Sequence, residues 1–175
     1  KSEAGAQLAA QVHNGLRDFC WEVHGWKGLG ACTQHYIAGG NTQKLAVVLS
    51  SCASMAKQPE RDLFIARACL QALEPCQSPQ QLAQRVPFCQ ALIREYSKLV
   101  GDLDTPLVHF LHLLLEALVR GSQPLAQLLV QEYRPELVRD PSLFNAASLA
   151  AHTLSGQRAG GPAGGLGDIF KALMG

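Results

Sequence analysis

The sequence has no run of like charges. Fifteen Lys and Arg stand against fourteen Asp and Glu in 175 residues, a net charge of +1, so the basic stripe that tracks a nucleic-acid backbone is missing and nucleic acid is set aside as a partner. Strand signals are scarce as well: alternation of apolar and polar residues never persists, and β-branched residues are sparse between the Gly and Pro punctuation. The most apolar run, Leu107 to Val119, is interrupted by His109, His112 and Glu116 and is shorter than a bilayer span, which makes it a core helix and argues against direct membrane insertion. None of the six cysteines (Cys20, Cys32, Cys52, Cys69, Cys76, Cys89) forms a Cys-x-x-Cys pair. Most sit within apolar helical patterns and read as reduced, buried small hydrophobes, a cytosolic usage. No nucleophile motif or paired-acid signature is present, and Gly25-x-x-Gly28-x-Gly30 has neither a strand before it nor the lysine of a phosphate-binding loop. Neither catalysis nor a cofactor is expected. Lys1 is not an initiator methionine and opens no signal peptide, which reads as a piece of a longer protein.

What is there is helical periodicity, segment after segment. Leu8, Val12, Leu16, Phe19 and Val23 share one face of a helix over Glu3 to Val23 that Gly25 ends. A second helix runs from Trp26 to Ile37, and a third, capped by Asn41 or Thr42, carries Leu45, Val48, Leu49, Cys52 and Met55. Pro59 opens a fourth, with Glu60 and Asp62 at the positive end of its dipole and its end near Leu73. Ser78, Pro79 and Gln81 form a capping-box start, and Pro87 is expected to kink or split that helix between Val86 and Phe88 before it ends near Leu99. Thr105 and Pro106 start the apolar helix ending near Gly121, Pro124 starts one through Tyr133, and Asp140 and Pro141 start the last of the body, through Ser155. About seven or eight helices on short loops pack antiparallel, as a bundle or an α-solenoid. Trp26-x-x-Leu29-Gly30 matches the opening of a tetratricopeptide repeat but has Thr33 where a tyrosine belongs, the mark of a degenerate helical repeat.

Beyond the body (residues 1–155), GQRAGGPAGGLG over 156–167 reads as a flexible tether. Leu166, Ile169, Phe170, Leu173 and Met174 then recur at helical spacing, with Asp168 placed to cap a short helix over 168–175. So short a helix cannot stand alone in water and must dock on the body or on a partner.

Two constellations have the residue types of chemistry. His109, His112 and Glu116 lie at i, i+3 and i+7 on one face, a spacing that can share a metal ion and would suit a metal-dependent helical enzyme; the same three also form the polar side of a helix whose other side is Leu107, Phe110, Leu111, Leu114 and Leu118. Cys32 and His35 stand one turn apart but lack the second pair a structural zinc site requires. A generic tetratricopeptide module gripping chaperone tails would need a basic clamp, and Lys27, Lys44 and Arg61 show no repeat-related spacing.

Four stretches stand out together: Glu60-Arg-Asp-Leu-Phe-Ile-Ala-Arg-Ala-Cys-Leu-Gln-Ala-Leu73, Pro106-Leu-Val-His-Phe-Leu-His-Leu-Leu-Leu115, Glu132-Tyr-Arg-Pro-Glu-Leu-Val-Arg-Asp-Pro141, and the tail Gly165-Leu-Gly-Asp-Ile-Phe-Lys-Ala-Leu-Met-Gly175. In this order they resemble the C-terminal half of the Golgi to ER traffic protein 4 family. That resemblance implies an all-α solenoid acting as a cytosolic adaptor in the targeting of tail-anchored membrane proteins to the endoplasmic reticulum. It also implies that this half binds a segment of a ubiquitin-like partner or a Bag-type chaperone, while the family's other half contacts the targeting ATPase. Carried over by position, the partner-binding candidates are Leu107, Phe110, Leu111, Leu114, Tyr133, Pro135 and Leu137. The chain departs from the family at His109, where relatives carry asparagine.

Overall fold

The computed structural model describes residues 3–101 and 103–155. Among them every regular element is helical: α1 (Glu3–His24), α2 (Leu29–Gly39), α3 (Thr42–Met55), α4 (Arg61–Leu73), α5 (Pro79–Val100), α6 (Pro106–Arg120), α7 (Gln123–Glu132), α8 (Arg134–Leu137) and α9 (Pro141–Thr153), with short 3-10 turns at Gly25–Gly28 and Gln58–Glu60. The fold is an all-α solenoid. The Gly-rich 156–167 segment, the short helix over 168–175 and the apolar residues Leu166, Ile169, Phe170, Leu173 and Met174 lie outside the described residues.

Side-chain caps set several of the starts. The Asn41 carboxamide oxygen accepts the Lys44 N–H at 3.0 Å, the Thr105 hydroxyl accepts from Val108, and the Asp140 carboxylate accepts from Ser142 at 2.9 Å. Ser78 accepts from Gln81, whose side chain reaches back to the Gln77 N–H, so the box closes one residue earlier than the usual reciprocal pair. Two expected starts are displaced: 3-10 turns hold Trp26 and Pro59, and the α-helices begin only at Leu29 and Arg61. At the first of these, Gly28 is packed so closely on α1 that a Cβ would lie 2.5 Å from the Cys20 carbonyl oxygen, a contact only glycine allows. Gly40 and Gly121 end α2 and α6 in the left-handed region, where glycine carries no Cβ penalty.

Pro87 does not split α5, which is continuous from Pro79 to Val100. Pro87 and Ala83, whose carbonyl loses its helical partner, are both exposed. The carbonyl that the ring deprives of its partner thus belongs to a solvent-facing residue, where its loss costs least, while Val86 and Cys89 keep their places in the core.

α4 is the hub. It packs against α2, α3, α5, α6 and α9, and nine of its thirteen residues are buried, Asp62 among them. Around it, α3 lies along α5, and α7 along α9. Helices that skip a neighbour in sequence thus form the broad layers, in addition to the antiparallel pairing of successive helices. The buried Tyr96 of α5 donates its hydroxyl to the Arg61 carbonyl at 2.8 Å, pinning the first turn of α4. None of the six cysteines is joined in a disulfide, and five of them are buried.

Candidate functional site

α6 enters the molecule with one apolar face wholly inward. Leu107, Phe110, Leu111 and Leu114 are buried, as is Leu137 of α8. The i, i+3, i+4, i+7 spacing puts the four on a single side of the helix, and α5, α4 and α7 cover that side. Tyr133, at the junction of α7 and α8, is half-buried, its ring centroid 5.6 Å from that of Phe110. Pro135 is exposed. Of the seven positions, these two present surface; the other five are buried in the core against which Tyr133 packs, with Phe110 in contact with its ring.

The outward face of α6 carries the polar residues. His109 meets Asp104 at 2.7 Å, Glu116 meets Arg120 at 2.8 Å, and His112 is exposed. The two side chains that would have to converge with His112 on an ion are held by different partners. Among the described residues no group of three or more His, Cys, Asp or Glu stands close enough to share a metal. His35 meets the His13 ring across the α1 and α2 interface, with their Nδ1 atoms 3.0 Å apart.

The structure joins two stretches that the sequence shows far apart. Asp62, 3% exposed on α4, receives a bidentate contact from Arg139, both N···O distances being 3.0 Å. The same guanidinium also donates to Glu136 at 2.9 Å and to the Pro59 carbonyl. One residue on, Asp140 pairs with Arg67 at 2.5 Å. Asp62 and its hydrogen bonds hold the Arg139 proton more firmly than usual. Burial works against ionisation of Asp140, but the hydrogen bonds from Arg67 and Ser142 outweigh it and hold its carboxyl below the ordinary range. Arg134 lies over the Phe144 ring, 5.1 Å from its centroid. These contacts strap the loop between α8 and α9 to the first two turns of α4, and so position Tyr133 and Pro135. No periodicity marks such a pairing.

Beside the strap, the exposed edge of α4 is hollowed. A cavity of about 430 Å³ is bounded by Gln34, Ile37, Gln71, Glu74, Pro75 and Arg85. A second, of about 230 Å³, lies between Arg67 and Gln71 of α4, Glu74 just past its end, and Ser142, Leu143 and Ala146 of α9. Gln71 and Glu74 line both. Neither hollow holds the convergent acid, base and nucleophile of a reaction site. Among the described residues no helix is long and apolar enough to cross a membrane.

No curated protein matches the chain. A family model does, over residues 3–174, and its description is Golgi to ER traffic protein 4. That span includes three of the four stretches quoted from the sequence whole and the fourth as far as Met174; two of them, 60–73 and 132–141, are the ones the Asp62, Arg67, Arg139 and Asp140 contacts join. The chain belongs to the Golgi to ER traffic protein 4 family.

Proposed function

We propose that the protein is a cytosolic adaptor in the targeting of tail-anchored membrane proteins to the endoplasmic reticulum. It binds a segment of a ubiquitin-like partner or a Bag-type chaperone and carries out no chemistry of its own. Family membership over residues 3–174 carries this reading. The all-helical body supports it, as do side chains committed to packing and ion pairs rather than to a reaction centre. The partner meets the face at Tyr133 and Pro135, with Leu107, Phe110, Leu111, Leu114 and Leu137 as its packed floor. Contact with the targeting ATPase falls to the family's other half, and no cofactor is needed.

The test is capture of the purified N-terminal segment of the ubiquitin-like partner, and of the equivalent segment of the Bag-type chaperone, by this chain, compared with capture by Tyr133→Ala and Pro135→Glu variants whose melting is followed in parallel. Saturable binding of one segment, weakened by either variant with the fold intact, supports the reading. Failure to bind either segment overturns the proposed partner class, and undiminished binding by both variants overturns the face.

A further inference from the structure

The two hollows beside α4 share a wall. The smaller, about 230 Å³, lies between α4 and the first two turns of α9. The larger, about 430 Å³, lies toward α2, against Ile37 and Pro75. Gln71 and Glu74 stand between them as a ridge, since they line both. Leu70 and Leu143, each 1% exposed, line the smaller hollow, and its volume exceeds the ~150 Å³ that accepts a benzene ring. It has room for one aromatic side chain. Of the charged residues along this strip, Arg67 is taken by Asp140 and Arg85 donates to the Ile37 carbonyl at 3.4 Å. Glu74 is exposed and enters no ion pair among the described residues.

The segment that continues from α9 has the matching order. Phe170 is followed by Lys171 and then by Leu173 and Met174: an aromatic residue, a single basic one and an apolar pair, against a ring-sized hollow, an acidic ridge and a larger hollow. Read as a helix, the segment sets residues three and four apart about 5–6 Å from each other, so Phe170 and the apolar pair straddle a narrow ridge. Lys171 lies at the edge of that face, with a stem long enough to bring its ammonium to Glu74. The reach is also right. Ala146, in the wall of the smaller hollow, lies about 13 Å back along the helix axis from Ser155. The Gly-rich residues 156–167 have an end-to-end distance of roughly 17–21 Å at that length and composition, of the order of the span, where a tether raises local concentration most. Chain lying before α1 is the rival cover. However, α1 has its substantial contacts with α2 and the turn Gly25–Gly28, neither of which lines the smaller hollow, whereas α9 is itself one of its walls.

From the shared ridge, the tether span and the order of residues we propose that the segment 168–175 docks on this strip of its own chain. Phe170 fills the smaller hollow, Lys171 pairs with Glu74, and Leu173 and Met174 lie over the larger hollow. The contact is intramolecular and does not depend on which partner the adaptor binds.

Photocrosslinking of the full chain with p-benzoylphenylalanine in place of Phe170 tests this, the products being mapped by mass spectrometry. The expected product is a single chain joined to residues 67–75 or 142–146, and Phe170→Asp in the otherwise unaltered chain is expected to lower the melting temperature. Glu74→Lys and Lys171→Glu, introduced beside the crosslinker, are each expected to cut the yield several-fold, and the two together to restore it. Glu74 is exposed, so its variant keeps the fold, which melting checks. Products scattered over the body, joined only between chains or formed only with a partner segment present overturn the docking site, as does an unchanged melting temperature for Phe170→Asp. Full yield in both single variants, or no recovery in the double one, overturns the register.

Discussion

Arg139 and Asp62 share a bidentate contact but not the same exposure, so the two ends of the pair are unequal. The Arg139 side chain is 29% exposed and the Asp62 side chain 4%. Arg139→Ala strands a carboxylate in the core and should cost about 3–5 kcal/mol. Asp62→Ala leaves a guanidinium that still reaches Glu136 and water, and should cost about 1.5–3 kcal/mol. Urea melts of the two variants check the order, and a larger loss for Asp62→Ala would contradict it. Asp140 adds a pH dependence of definite sign. Its folded carboxyl titrates below the ordinary range, so its contribution to stability is complete above the unfolded value of ~3.9 and is lost as pH falls through the folded one. Between pH 5 and 2 (roughly the span of that titration), the wild type should lose melting temperature more steeply than Asp140→Asn; parallel curves would remove Asp140 from the account. Phe110 and Tyr133 divide the remaining question. Phe110→Ala should destabilise by about 3–5 kcal/mol, because the ring is fully buried, whereas Tyr133→Ala should chiefly weaken partner capture. Melting and capture measured on the same proteins separate the roles.

Local chemistry made most of the elements readable. Asn41, Ser78, Thr105 and Asp140 were identifiable as starts from side chains that accept backbone N–H groups, and all four do so. Pro87 does not split α5; whether a proline breaks a helix depends on whether the carbonyl it strands faces water, which spacing alone does not reveal. The α1 stripe was legible as a face, but periodicity says only that a face is apolar and is silent on what covers it. The same limit applies to α6, where one pattern suits both a core and a groove and the structure buries it. The Asp62, Arg67, Arg139 and Asp140 contacts had no local signal, since 77 and 73 residues separate the partners. The tail belongs to this scale too. Truncation after Gly156 should lower the melting temperature if Leu166, Ile169, Phe170, Leu173 and Met174 dock on the body, or abolish partner capture without that drop if they dock on the partner. No change in either would leave the tail helix without a docking role.

A stack of helices that touch only their neighbours unfolds piecemeal, each repeat opening at its own cost. This chain departs from that behaviour at one place, because the ion pairs carry the loop between α8 and α9 back to α4. α4 in turn touches five other helices. Helices far apart in sequence are thereby made to open together, while α1, among the described residues, rests mainly on α2 and one short turn. Native-state hydrogen exchange should register the division. Amides of α4, α6 and α9 should share a single high opening free energy, those of α1 a lower one, and Arg139→Ala should split the first group into separately exchanging parts. The strap is thus a cooperativity device: it converts the C-terminal part of a one-dimensional array into a single folding unit, and Tyr133 and Pro135 stay ordered for as long as that unit is closed.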